Sequence, residues 1–110
     1  QQAVRDSQKP VLLDVYADWC ISCKVMEEQV FPTATVAPLL GRFQLLRADV
    51  TRNDGLDREL LSHYGLFGPP SLVFFRQDAS EIEELRLQGE VSEQQLVPHL
   101  QAVLARNIEK

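Results

Sequence analysis

Apolar residues fall in short runs at two different periods, with polar turns between them. Val11-Leu12-Leu13-Asp14-Val15-Tyr16-Ala17, preceded by Lys9-Pro10, is an almost unbroken apolar run and predicts a buried parallel strand. Residues 20 to about 31 predict a helix. Its Val25, Met26, Gln29 and Val30 have mixed periodicity, Lys24, Glu27 and Glu28 supply a solvated side, and Pro32 ends or kinks it. A second helical piece is expected over Ala34 to Leu40, with Gly41 as its C-terminal cap. Phe43 to Val50 reads as the next strand. After the turn and capping residues Thr51 to Gly55, Leu56, Leu60, Leu61 and Tyr64 recur at helical core spacing up to Gly65.

Beyond Gly65 the period changes. Leu72-Val73-Phe74-Phe75 and the run Glu81 to Gln88 flank the turn Gln77-Asp78-Ala79-Ser80, which predicts an antiparallel hairpin. Ile82, Leu85 and Leu87 break strict alternation, so the second strand carries a bulge or starts late. Ser92 and Gln95 form a capping-box pattern before a helix through Leu96, Val97, Leu100, Val103 and Leu104, and Pro98 inside it should kink it or move its start. A βαβ half followed by a ββα half predicts an α/β domain: a mixed parallel and antiparallel sheet flanked by helices on both faces, in one unit over residues 1–110.

Charge narrows the partners. Eleven Lys and Arg face sixteen Asp and Glu, a formal net charge of −5. Nucleic acid or an anionic membrane surface would select clustered cations, and no such cluster exists. No apolar run approaches the roughly 20 residues that cross a bilayer, and no signal-peptide pattern opens the chain. Gln1-Gln2 reads as a cut, so the chain is expected to be a piece of a longer protein.

Cysteine chemistry changes the picture most. The two cysteines stand in Trp19-Cys20-Ile21-Ser22-Cys23-Lys24. A disulfide across four residues closes so small a loop that it adds little to folding. Zinc would need four ligands, and His63 and His99 lack the spacing that zinc sites show. The remaining reading is a reversible dithiol/disulfide at a strand-to-helix junction. Cys20, at the expected helix N-terminus, is the candidate nucleophile, because free N–H groups and the helix dipole favour its thiolate. Cys23, one turn deeper, is the resolving thiol. Asp14 is a carboxylate inside a buried strand, a costly placement that points to proton transfer with Cys23, the alternative being a strand-end acid reaching solvent or Lys9. Glu27 falls on the same helix side as both cysteines, either as a modulator of their charge or as a solvated acid paired with Lys24. His63 and His99 are placed on helix surfaces.

Asp14 in an apolar strand, then Ala17-Asp18-Trp19-Cys20, a helix, and Pro70 before a later strand resemble the thioredoxin superfamily over nearly the whole chain. Tyr16 to Lys24, Ala48 to Asp54 and Gly68-Pro69-Pro70-Ser71 are most similar to the C-terminal periplasmic domain of the DsbD-type transmembrane reductases. The dipeptide Ile21-Ser22 departs from the Gly-Pro typical of thioredoxin itself. The resemblance implies a protein-disulfide reductase with no bound cofactor or metal. In it Cys20 and Cys23 form the redox-active disulfide, Asp14 and Glu27 raise the first thiol's pKa, and Trp19, Pro69 and Pro70 meet the substrate, Pro70 as a cis-proline.

It further implies a monomeric domain on the periplasmic side of a bacterial inner membrane, reduced by the membrane-embedded domain of the same protein and passing electrons to that protein's N-terminal periplasmic domain. A free-standing thioredoxin-like reductase and a non-catalytic interaction module are the alternatives. A strong oxidase would need a depressed Cys20 pKa, which Asp14 and Glu27 oppose. Phe67 is left open between core and exposed platform.

Overall fold

The computed structural model describes residues 9–107, so Gln1-Gln2 lies outside the described residues. Four strands form one sheet in the order β2-β1-β3-β4. β1 (Val11–Tyr16) pairs in parallel with β2 (Gln44–Asp49) and antiparallel with β3 (Ser71–Phe75), and β3 pairs antiparallel with β4 (Leu87–Gln88). The mixed sheet predicted from the βαβ and ββα halves is present.

Strand alternation divides the core. Leu12 of β1 and Leu72 and Phe74 of β3 join one cluster with Met26, Val30, Val36, Leu40, Phe43, Ile82, Leu96, Leu100 and Val103. Val11 and Val15 of β1 and Val73 and Phe75 of β3 join the other, with Cys20, Cys23, Val50 and Leu66. Helix α1 (Ile21–Val25) continues into a π-helical turn, Met26–Val30, and stops before Pro32. α2 is shorter than expected, Ala37–Leu40, and its cap Gly41 has φ −62°, so no left-handed residue ends it. Thr33 takes the preceding turn instead, its hydroxyl donating to the Val30 carbonyl at 2.8 Å and accepting from Val36 N–H at 3.3 Å.

α3 (Gly55–His63) is capped by Asp54, which accepts from Asp57 N–H at 3.0 Å, and the chain leaves it through Gly65 at φ +65°, a conformation that suits glycine. Leu60, Leu61 and Tyr64 pack on the second cluster, whereas Leu56 is 75% exposed. Leu56 sits in the first turn, where helical spacing alone does not bring a residue down to the sheet. The predicted second hairpin strand is mostly absent. Phe75 and Glu81 form a single bridge, a 3₁₀ turn occupies Glu83–Leu85, and only Leu87–Gln88 pair with β3. The turn explains the broken alternation, since residues three apart share a side in a 3₁₀ helix and both Ile82 and Leu85 reach the first cluster. α4 (Glu93–Arg106) starts where the capping box places it, Gln95 N–H donating to Ser92 Oγ at 3.2 Å and Ser92 N–H to Gln95 Oε1 at 2.9 Å. Pro98 does not shift that start; it lies within the helix on the exposed side, where water can satisfy the carbonyl it leaves unbonded.

Candidate active site

β1 ends at Tyr16, and the chain turns through Ala17, Asp18 and Trp19 into α1. Cys20 is the N-cap of that helix, and its Sγ accepts the Cys23 N–H at 3.1 Å. Cys20 and Cys23 form a disulfide, with their Cα atoms 5.3 Å apart. A helix N-cap directs unpaired N–H groups at whatever the cap side chain presents, so the sulfur that becomes a thiolate on reduction already has a donor. Cys20 is 6% exposed and Cys23 3%, the order expected from one helical turn of depth. Cys20 is nevertheless less open than the accessible thiolate that exchange requires.

The turn before Cys20 is tied to the β2–α3 connection. Thr51 Oγ1 accepts from Asp18 N–H at 2.8 Å and donates to Asp49, and the Trp19 indole N–H donates to the Thr51 carbonyl at 2.8 Å. Trp19 is 57% exposed, Ile21 79% and Phe67 95%, so large apolar side chains stand out from the cysteine-bearing turn and from the Phe67–Pro70 loop. That loop has a cis peptide between Pro69 and Pro70. Pro70 is buried and its carbonyl accepts from Gly89 N–H at 2.9 Å, while Ser71 Oγ donates to the Gly68 carbonyl at 2.7 Å. Phe67, Gly68, Pro69, Gln88 and Gly89 line a pocket of about 330 Å³.

Asp14 and Glu27 come together, though not in a pocket that the cysteines line. With Arg47, Phe31 and four leucines they bound a cavity of about 350 Å³. Asp14 lies in mid-strand, with its carboxyl raised to about 6, first by burial and then by the charge of Glu27, while Arg47 pulls it back. Asp14 is the fourth of the six residues of β1, not its end, and Lys9 Nζ donates to the Gly41 carbonyl at 3.3 Å. Glu27 forms an ion pair with Arg47 from β2, not with Lys24. Among the histidines, His63 is exposed as expected, but His99 is half-buried, with Nε2 2.6 Å from the Leu85 carbonyl and its ring 5.4 Å from Phe74.

A family model described as thioredoxin-like matches residues 1–77. The oxidised C-terminal domain of DsbD from Neisseria meningitidis is 36% identical, with a TM-score of 0.74 over 93% of this chain and 86% of that one. The chain belongs to the thioredoxin-like family. Thiol:disulfide interchange protein DsbD 1 of Pseudomonas aeruginosa is 46% identical over 102 residues, 93% of this chain and 17% of that protein. The chain thus spans less than a fifth of the length of the curated relatives it matches. A thioredoxin from Thermus thermophilus, 22% identical with a TM-score of 0.80, shares the fold. On this thioredoxin-like frame the cysteine pair can alternate between disulfide and dithiol. Arg47 and Thr51 are the site residues that sequence reasoning missed. Arg47 is the one cation in β2, and only the β1–β2 register sets it opposite Asp14.

Proposed function

We propose that this chain is the thiol-disulfide exchange domain of a DsbD-type protein-disulfide reductase. The observation that carries the reading is the Cys20–Cys23 disulfide at a helix N-cap, with the Cys23 N–H directed at Cys20 Sγ. In the reduced chain, the Cys20 thiolate attacks one sulfur of a partner's disulfide and expels the other as a thiolate. Cys23 then gives up its proton and attacks Cys20 Sγ, which releases the partner's second thiol and closes the disulfide. Two electrons and two protons leave the domain, and the partner's disulfide becomes a dithiol. Asp14 is the proton acceptor for Cys23: a carboxyl raised to about 6 is mostly ionised at neutral pH and still basic enough to take a proton. Glu27 adds negative charge beside it, and Trp19, Pro69 and Pro70 receive the partner's chain.

Residues 1–110 form one thioredoxin-like unit of a longer protein, whose membrane-embedded domain reduces it and whose N-terminal periplasmic domain it reduces in turn. The unit faces the periplasm. The similarity to DsbD proteins of much greater length supports this placement, and among the described residues no helix is long and apolar enough to cross a membrane.

The test is the equilibrium between oxidised and reduced protein in defined thiol/disulfide buffers, read by mass. A potential near about −270 mV, or somewhat above it, supports a reductant, whereas a value near about −120 mV makes the chain an oxidase. Absence of a reversible transition leaves a non-catalytic interaction module. Cys20→Ala should abolish exchange with a partner disulfide.

A further inference from the structure

Arg47 occupies a place that the exchange scheme does not yet use. The parallel register sets it beside Asp14 on the neighbouring strand, and its guanidinium pairs with Glu27 of the cysteine-bearing helix. The same guanidinium lies 3.8 Å from the centroid of the Tyr16 ring. Tyr16 packs in the cluster that contains Cys20 and Cys23, and its hydroxyl donates to Asp18 Oδ1 at 2.9 Å, two residues before Cys20. One cation therefore touches the second acid, stands beside the first, and rests on the ring that leads to the cysteines.

We propose that Arg47 is a positioning residue for thiol exchange: it holds Glu27 in place and offsets the negative charge that Asp14 and Glu27 bring to the cysteine pair. The proposal rests on reading Cys20 and Cys23 as the exchanging thiols. The groups that face Asp14 are Glu27 from the helix and Arg47 from β2, while its partner on β3 is the apolar Leu72. With Arg47 removed, the two carboxylates remain and lose the cation that pulls the Asp14 carboxyl back down. Ionising Cys20 adds a negative charge to the cluster on which the guanidinium rests through Tyr16, and without that cation its thiolate forms at higher pH. The Arg47 side chain is 48% exposed and that of Glu27 31%, so solvent screens part of this charge and salt should weaken the effect.

The experiment follows alkylation of reduced whole chain by iodoacetamide across pH, for the wild type, Arg47→Met, Arg47→Lys, Glu27→Gln and the Arg47→Met/Glu27→Gln double variant. Arg47→Met keeps an apolar stem on Tyr16 and loses the charge. It should move the Cys20 profile up by roughly half to one pH unit, about three- to tenfold slower alkylation at pH 7. Arg47→Lys should restore most of the wild-type profile. In the Glu27→Gln background the shift should shrink, because Arg47 loses the ion pair that fixes its guanidinium. A profile for Arg47→Met that overlays the wild type overturns the proposal, as does an Arg47→Lys profile shifted as far as Arg47→Met, which would assign the effect to packing.

If Arg47→Met does not fold, Arg47→Gln takes its place with the same expected rise, and a profile that overlays the wild type overturns the proposal. Alkylation reads the thiol without a partner, so a shifted profile in a chain that fails to reduce any disulfide would sink the reductase reading and leave the charge effect standing.

Discussion

Asp14 shows how far a single residue can be read. A carboxylate in an apolar strand is visible in the sequence, and desolvation alone predicts that it holds its proton more tightly than a surface acid. What the sequence hides is the company it keeps, because Glu27 comes from a helix and Arg47 from a strand more than 30 residues away. With the folded carboxyl at about 6 against an ordinary 3.8, the native state binds the proton more strongly than the unfolded chain. Its contribution therefore favours folding at low pH and is lost as pH rises from about 4 through about 6. Asp14→Asn should raise stability at pH 7 by up to about 3 kcal/mol, with no gain below about pH 4, as read by denaturant unfolding at several pH values. The same variant should slow resolution of the mixed disulfide by about tenfold or more and abolish the rise in rate through pH 6, measured by quenched exchange.

At the scale of elements, the signals that carried were caps, and those that misled were periodicities. Ser92 with Gln95, and Asp54 before α3, set helix starts by hydrogen bonds between neighbours in sequence, so they are legible without tertiary structure. Leu56, by contrast, has core spacing and lies in solvent, because periodicity fixes a face and not how near that face comes to the sheet. The strand read from Glu81 to Gln88 becomes a bridge, a turn and two paired residues for a similar reason. Arg86 reaches back to Glu81, with Nη2 2.8 Å from Oε1, and closes a loop that strand pairing would have opened. Ser92→Ala should cost about 1 kcal/mol of stability, read from the denaturant midpoint, with the alkylation profile of Cys20 unchanged. Thr51→Val removes a hydroxyl that both accepts from Asp18 N–H and donates to Asp49, and should destabilise by about 1–3 kcal/mol, seen as a lower melting temperature and faster amide exchange at Asp18.

For the whole molecule, one sheet separates two cores, and the cysteines belong to the core opposite the cluster built around Phe74. Phe74→Ala should cost roughly 3–5 kcal/mol by opening a cavity in that first cluster, read by denaturant unfolding. Phe67→Ala is the contrasting case: nothing packs around so exposed a ring, so stability should hold within about 0.5 kcal/mol while exchange with a protein disulfide slows several-fold. The mixed sheet is legible in the βαβ and ββα halves, but its strand order and the two cores are not, and of the exposed Trp19, Ile21 and Phe67 only Trp19 is expected to face a partner, by resemblance, since Phe67 in a loop reads equally as core or surface. Trp19 is also the chain's only tryptophan, and it is covalently adjacent to the disulfide while its indole is anchored to the Thr51 carbonyl. The domain thereby carries an optical gauge of its own redox state: its tryptophan emission comes from one indole held beside the sulfur pair, so the light changes when that bond opens.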